Sequence, residues 1–147
     1  MRILLFVLYA AALMQAAEPV LPAGAKPRNL GRVGAGEGPA WDGKGSLYFT
    51  NENRITLRDA TGQIHVFRQP SNDANGLLFD SRGRLNICES AARRVTRIES
   101  DGKSVVLADR YNGSRFNSPN DLTIDSKGRI YFSDPRYGPR DGLEVRD

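Results

Sequence analysis

The 147-residue chain holds one cysteine, Cys88, and one histidine, His65. A single thiol cannot close an internal disulfide, so packing alone must hold the fold. Metals that prefer thiolate or paired imidazoles are equally disfavoured. Cys88 sits inside an apolar strand pattern and reads as a small buried hydrophobe. His65 alternates with Ile64 and Val66 on a predicted outer strand, where it is not placed to act as a base for that thiol. Charge of one sign never accumulates: 21 Lys+Arg oppose 17 Asp+Glu. The one cluster, Arg93-Arg94 with Arg97, is too small for a nucleic-acid footprint. Beyond the first residues, no stretch sustains helical periodicity over three turns.

The N-terminus is different. Arg2 precedes an unbroken apolar run from Ile3 to Met14, and the small residues Ala16-Ala17 follow. Twelve apolar residues fall short of the ~20 that a spanning helix needs. The pattern is that of a secretory signal peptide over residues 1–17, with cleavage as late as residue 25, where Ala23-Gly24-Ala25 offers a small-x-small site. An uncleaved N-terminal anchor is the alternative. Export implies a secreted or periplasmic protein with no membrane attachment after cleavage. Residues 18–36 read as a linker containing proline and glycine.

From residue 37 onward the chain repeats itself. Trp41-Asp42-Gly43-Lys44-Gly45-Ser46-Leu47-Tyr48, Phe79-Asp80-Ser81-Arg82-Gly83-Arg84-Leu85-Asn86 and Ile124-Asp125-Ser126-Lys127-Gly128-Arg129-Ile130-Tyr131 share one pattern. In each, an apolar residue precedes Asp, and Gly follows three positions later. The Asp side chain caps such a turn and the glycine takes the positive φ. The aspartates lie 80 − 42 = 38 and 125 − 80 = 45 residues apart, the period of four-stranded propeller blades. A second turn recurs at Asp59–Gly62 and Glu99–Gly102, 40 residues apart. Strands are predicted at 40–41, 47–50, 55–58 and 64–67, then at 77–79, 85–88, 95–98 and 105–107, then at 122–124 and 130–132. The fold class is all-β: about two and a half blades of a β-propeller over residues 37–147. Closed propellers have roughly 4–8 blades, so these residues read as the N-terminal part of a truncated ring.

The repeat also aligns candidate site residues. Five positions before each anchoring Asp stand Glu37, Asn75 and Asn120; six after each motif glycine stand Asn51, Glu89 and Asp134. All carry side-chain oxygens, and antiparallel neighbours open both sets on one end of the blades. Hard cations such as Ca²⁺ take that ligand type. Asn and Asp at strand ends also cap turns, and spacing leaves both readings open.

The segments Glu37-Gly38-Pro39-Ala40-Trp41, Asn75-Gly76-Leu77, Cys88-Glu89 with Arg93-Arg94-Val95, Asn117-Ser118-Pro119-Asn120-Asp121-Leu122 and Tyr131-Phe132-Ser133-Asp134-Pro135-Arg136-Tyr137-Gly138 together resemble the gluconolactonase/regucalcin (senescence marker protein) family. The resemblance runs from about Gly34 to Gly138. It implies a six-bladed propeller that hydrolyses small-molecule sugar lactones with a divalent metal. Ca²⁺ is the expected ion and other divalent ions are the alternatives. By the same resemblance, Glu37 and Asn120 would be metal ligands, and Arg115, Asn120 and Asn75 would contact substrate. The general base would lie in later blades, so no catalytic residue is assigned here and this fragment alone is expected to be inactive. The resemblance implies no defined protein partner. An organophosphate-hydrolysing relative and a non-enzymatic exported binding propeller are the alternative functions.

Overall fold

The computed structural model describes residues 21–137. The export segment read at 1–17 therefore lies outside the described residues, as do residues 138–147. The chain divides into two compact units, Met1–Leu30 and Gly31–Asp147. In the first unit, residues 21–30 are exposed and carry neither helix nor strand. One turn there is closed by the Ala25 N–H donating to the Pro22 carbonyl at 3.0 Å.

The second unit is built of antiparallel strands. β1 (Glu37–Trp41), β2 (Leu47–Asn51), β3 (Arg54–Arg58) and β4 (Ile64–Arg68) form one four-stranded sheet in sequence order. β5 (Ala74–Phe79), β6 (Leu85–Glu89), β7 (Arg94–Ile98) and β8 (Ser104–Ala108) form a second of the same plan. A small hairpin follows, β9 (Arg110–Tyr111) with β10 (Ser114–Arg115), and then the pair β11 (Leu122–Ile124) and β12 (Ile130–Phe132). Two full blades and the inner half of a third match the sequence reading. The β9–β10 hairpin was not anticipated; its turn, Asn112-Gly113, has φ of 48° and 86°, the Asn-Gly geometry that two-residue hairpins favour.

The turn chemistry follows the expected mechanism. Asp42 Oδ1 accepts the N–H groups of Lys44 and Ser46, Asp80 Oδ1 those of Arg82 and Arg84, and Asp125 Oδ1 those of Lys127 and Arg129. Gly45, Gly83 and Gly128 close these turns at φ of 118°, 73° and 78°, where a side chain would be strained.

Burial then follows position in the stack. The second blade is covered on both sides, and all five residues of β6 are buried. Leu85 and Ile87 join Ala40 and Ile55 of the first blade in one apolar cluster with Leu77. Asn86 and Cys88, alternating with them along the strand, belong to the opposite face, toward β11 and β12. The outer strands β4 and β8 are largely exposed, so the core runs along the inner strands.

Candidate metal and substrate site

At the start of each inner strand, the blades meet backbone to backbone. A Cβ on Gly38 would lie 1.9 Å from the Asn75 carbonyl oxygen, and one on Gly76 would lie 2.7 Å from the Asn120 carbonyl oxygen and 2.6 Å from Asp121 Oδ1. Only glycine permits such an approach. Each glycine directly follows a candidate ligand, Glu37 or Asn75, and nests against the equivalent residue of the next blade. The Gly76 N–H also donates to the Asn120 carbonyl at 2.6 Å, and the Thr50 hydroxyl donates to the Asn75 carbonyl at 2.9 Å. The pairing register slips between Glu37 and Ala40 in β1, and between Ala74 and Leu77 in β5. Such irregularities re-aim side chains next to sites. Glu37, Asn75 and Asn120 are thus strung along one rim.

Glu37, Asn51, Asp73 and Asn75 line a common cavity of about 220 Å³ between the first two blades. Glu37 is exposed; its backbone pairs with Thr50 in the β1–β2 ladder, and its side chain has no hydrogen bond or ion pair among the described residues. The side chains of Asn75 and Asn120 likewise make no hydrogen bond there; backbone contacts alone fix their positions. Asn120 is braced by its N–H donating to the Ser133 carbonyl at 2.9 Å. The preceding loop is held by the Asn117 N–H donating to Asp134 Oδ2 at 2.8 Å.

The family model for the SMP-30/Gluconolactonase/LRE-like region matches residues 35–145. The chain belongs to this family. It is 32% identical over 120 residues to a gluconolactonase of Zymomonas mobilis, covering 69% of this chain and 33% of that protein. The solved gluconolactonase of Xanthomonas campestris superposes with a TM-score of 0.66 at 35% identity, covering 74% of this chain and 37% of that one. Virginiamycin B lyase of Staphylococcus aureus, at 22% identity and a TM-score of 0.56 over 71% of this chain and 36% of that one, shares the fold. The chain therefore spans about a third of the length of these gluconolactonases.

Within this gluconolactonase-family rim, Arg115 is tied elsewhere: its Nη2 donates to the Ala92 carbonyl at 2.7 Å. Its neighbour Arg93 donates from Nε to the Phe116 carbonyl, so the β6–β7 turn and the β10 strand are clasped together. Glu89 lies at the same end as Glu37 but is fully buried. Its Oε1 meets Arg68 Nη1 at 2.8 Å and the Thr96 hydroxyl at 2.9 Å; its Oε2 accepts from Asn72 Nδ2 at 2.8 Å and Arg94 Nε at 2.7 Å. Burial alone would raise its pKa, but the Arg94, Asn72, Thr96 and Arg68 groups outweigh it and hold the carboxyl below its ordinary value. Glu89 is a structural anion. Cys88, fully buried, is pushed up to about 12 by burial and by the Asp121 and Asp134 carboxylates; a thiol held protonated is no nucleophile.

The donor set on the rim suits a hard cation in kind, being all oxygen, one carboxylate beside neutral amides. At the third blade, Asn117 Oδ1 and Asp134 Oδ1 are buried without a hydrogen-bond partner among the described residues. In number the set is incomplete: among the described residues, no three His, Cys, Asp or Glu side chains gather as a metal cluster. Sequence reasoning missed Gly38 and Gly76 as the residues that draw the rim together. Their signal was present, since each stands immediately after an aligned candidate ligand.

Proposed function

We propose that residues 37–137 supply the first blades of a metal-dependent sugar lactonase. The observation that carries this reading is the rim itself, where Gly38 and Gly76 seat Glu37, Asn75 and Asn120 side by side with the Glu37 carboxylate unpaired. Glu37 and Asn120 would hold a divalent cation, Ca²⁺ being the ion best matched to carboxylate and amide oxygens. Such an ion supplies Lewis acidity toward a lactone carbonyl and lowers the pKa of a bound water. Glu37 contributes the one negative charge, so the neutral amides of Asn75 and Asn120 leave positive charge available to the substrate. Asn75 and Asn120 orient lactone hydroxyls. The chain spans a third of its gluconolactonase relatives, so the remaining ligands and the general base belong to further blades. Residues 1–17 act as an export signal, which N-terminal sequencing of the secreted or periplasmic protein tests.

The activity test is a panel of aldonolactones and phosphotriesters, assayed on the whole protein with Ca²⁺ and with EDTA. Lactone turnover that disappears with EDTA is expected, and Glu37→Gln is expected to raise the Ca²⁺ concentration that turnover requires about tenfold. Turnover of phosphotriesters alone would move the chemistry to phosphorus. Turnover of neither would leave a binding propeller.

A further inference from the structure

Aromatic rings pack between the first two blades. Tyr48 stands edge-on to both Phe67 and Phe79, with centroids 5.1 Å away in each case. In the repeat, Asn86 takes the place of Tyr48 and Ile124 the place of Phe79. A cleft of about 880 Å³ lies beside these smaller side chains, between the second blade and the β11–β12 pair, against about 510 Å³ at the equivalent turns of the first two blades, within the size range of small-molecule sites. Its mouth is formed by the Asp80 and Asp125 turns, at the end of the strands opposite the candidate site. The separation along β5 is about 13 Å, four residues of extended chain.

Two features define what the cleft accepts. Asn86 is fully buried, and its Nδ2 donates to the Leu78 and Arg84 carbonyls, both at 3.2 Å. Only an amide nitrogen can satisfy two carbonyls, so the amide orientation is fixed. Its Oδ1 is left buried with no partner, which is costly unless an outside donor reaches it. The second feature is charge. Arg84 is committed to Asp80 and Glu99, Arg97 to Glu99, and Asp125 is matched by Arg129. Arg82 and Lys127, also on the lining, make no ion pair among the described residues and leave the mouth positive.

We propose that this cleft binds a polyhydroxylated carboxylate, with a hydroxyl donating to Asn86 Oδ1 and the carboxylate between Arg82 and Lys127. A neutral polyol would leave the mouth unmatched. A bare carboxylate brings no proton to the buried acceptor. The site is independent of the lactonase reading, because none of its residues lies on the Glu37 rim.

Calorimetric titration of the full chain with D-gluconate, in EDTA, tests it, with sorbitol and acetate as ligands that each lack one half. Gluconate is expected to bind saturably and at least about tenfold more tightly than either. Asn86→Leu, and separately the surface pair Arg82→Gln with Lys127→Gln, are each expected to weaken it about tenfold, the scale of one lost charge-assisted or buried hydrogen bond. The surface pair leaves the core untouched, so it remains informative if Asn86→Leu fails to fold. Glu37→Gln is expected to leave gluconate binding in EDTA unchanged. No saturable binding, equal binding of all three ligands, or binding that follows Glu37 and ignores the two cleft variants would overturn the proposal.

Discussion

Two glutamates stand at the same end of the first two blades and have opposite fates. Glu37 opens the first inner strand, exposed and without an ionic partner among the described residues. Glu89 closes the second strand of the next blade, wholly buried between Arg68, Arg94, Asn72 and Thr96. The difference lies in what covers them. Blade two is flanked on both sides, so a carboxylate at its edge must be fully paired or the blade would not pack. Glu37 sits on a rim where the backbone is crowded but the side chain is not. One carboxylate is fixed for stability, and the other is left for chemistry.

Removing the buried partner should produce the largest effect. Glu89→Ala leaves Arg68 and Arg94 facing an empty pocket, and breaking a buried pair costs about 3–5 kcal/mol. Chemical denaturation should show that loss, together with loosening of the Asn72 crossover between blades one and two. A loss under about 1 kcal/mol would mean that water already reaches the pair.

The next effect in size concerns the rim that holds Glu37. Gly38 has φ of 52°, and an added Cβ would collide with the Asn75 carbonyl. Gly38→Ala should therefore cost about 2–3 kcal/mol through overpacking and backbone strain. It should also weaken metal binding without touching a ligand. If stability falls and metal affinity does not, the close approach of the blades does not set the rim's geometry.

Much of this was legible in the sequence, for identifiable reasons. The Asp-x-x-Gly turns declare themselves because their mechanism is local: the Asp side chain and the glycine φ need no tertiary partner. The inner strands were read short, β1 from 40 rather than Glu37 and β5 from 77 rather than Ala74. Gly38-Pro39 and Asn75-Gly76 look like turn residues, and here they mark register slips inside strands. The fate of Glu89 was not legible, because the repeat equates it with Asn51 and Asp134. Its decisive partners, Arg68 and Asn72, come from the preceding blade and the crossover. Asn86 stands where the other two copies of the motif carry tyrosine, but the cleft beside it is also lined by Ile124 in the facing blade.

Glu37→Gln sharpens the comparison at smaller scale. It should leave stability within about 0.5 kcal/mol, as for a surface change without buried partners. Ca²⁺ affinity in the whole protein should fall about tenfold, or 1.4 kcal/mol. Glu89→Gln should do the reverse, lowering stability while leaving Ca²⁺ affinity of the folded protein nearly intact. Equal, small losses of affinity in both variants would return Glu37 to ordinary strand-end chemistry.

The smallest effect is in the acid dependence of stability. The Glu89 carboxyl is held below its ordinary value: burial works against the anion, but the bonds from Arg94, Asn72 and Thr96 and the charge of Arg68 prevail. A carboxyl depressed in the folded state stabilises the fold fully above its unfolded value and loses that contribution as pH falls through the folded one. The stability gap between the native chain and Glu89→Gln should therefore be widest near neutrality and narrow below about pH 4.5, the unfolded glutamate range. The variant will still lose stability in acid, because the turn carboxylates are depressed too. At Asp80, burial is outweighed by the Arg84 N–H, the Arg84 guanidinium and the Arg82 N–H; at Asp125, the Arg129 N–H and guanidinium lead. Urea unfolding of both proteins between pH 7 and pH 3 measures the gap directly. A gap that stays constant across that range would show that the four partners of Glu89 bind its neutral form as well as its anion, and the contrast with Glu37 would then rest on packing alone.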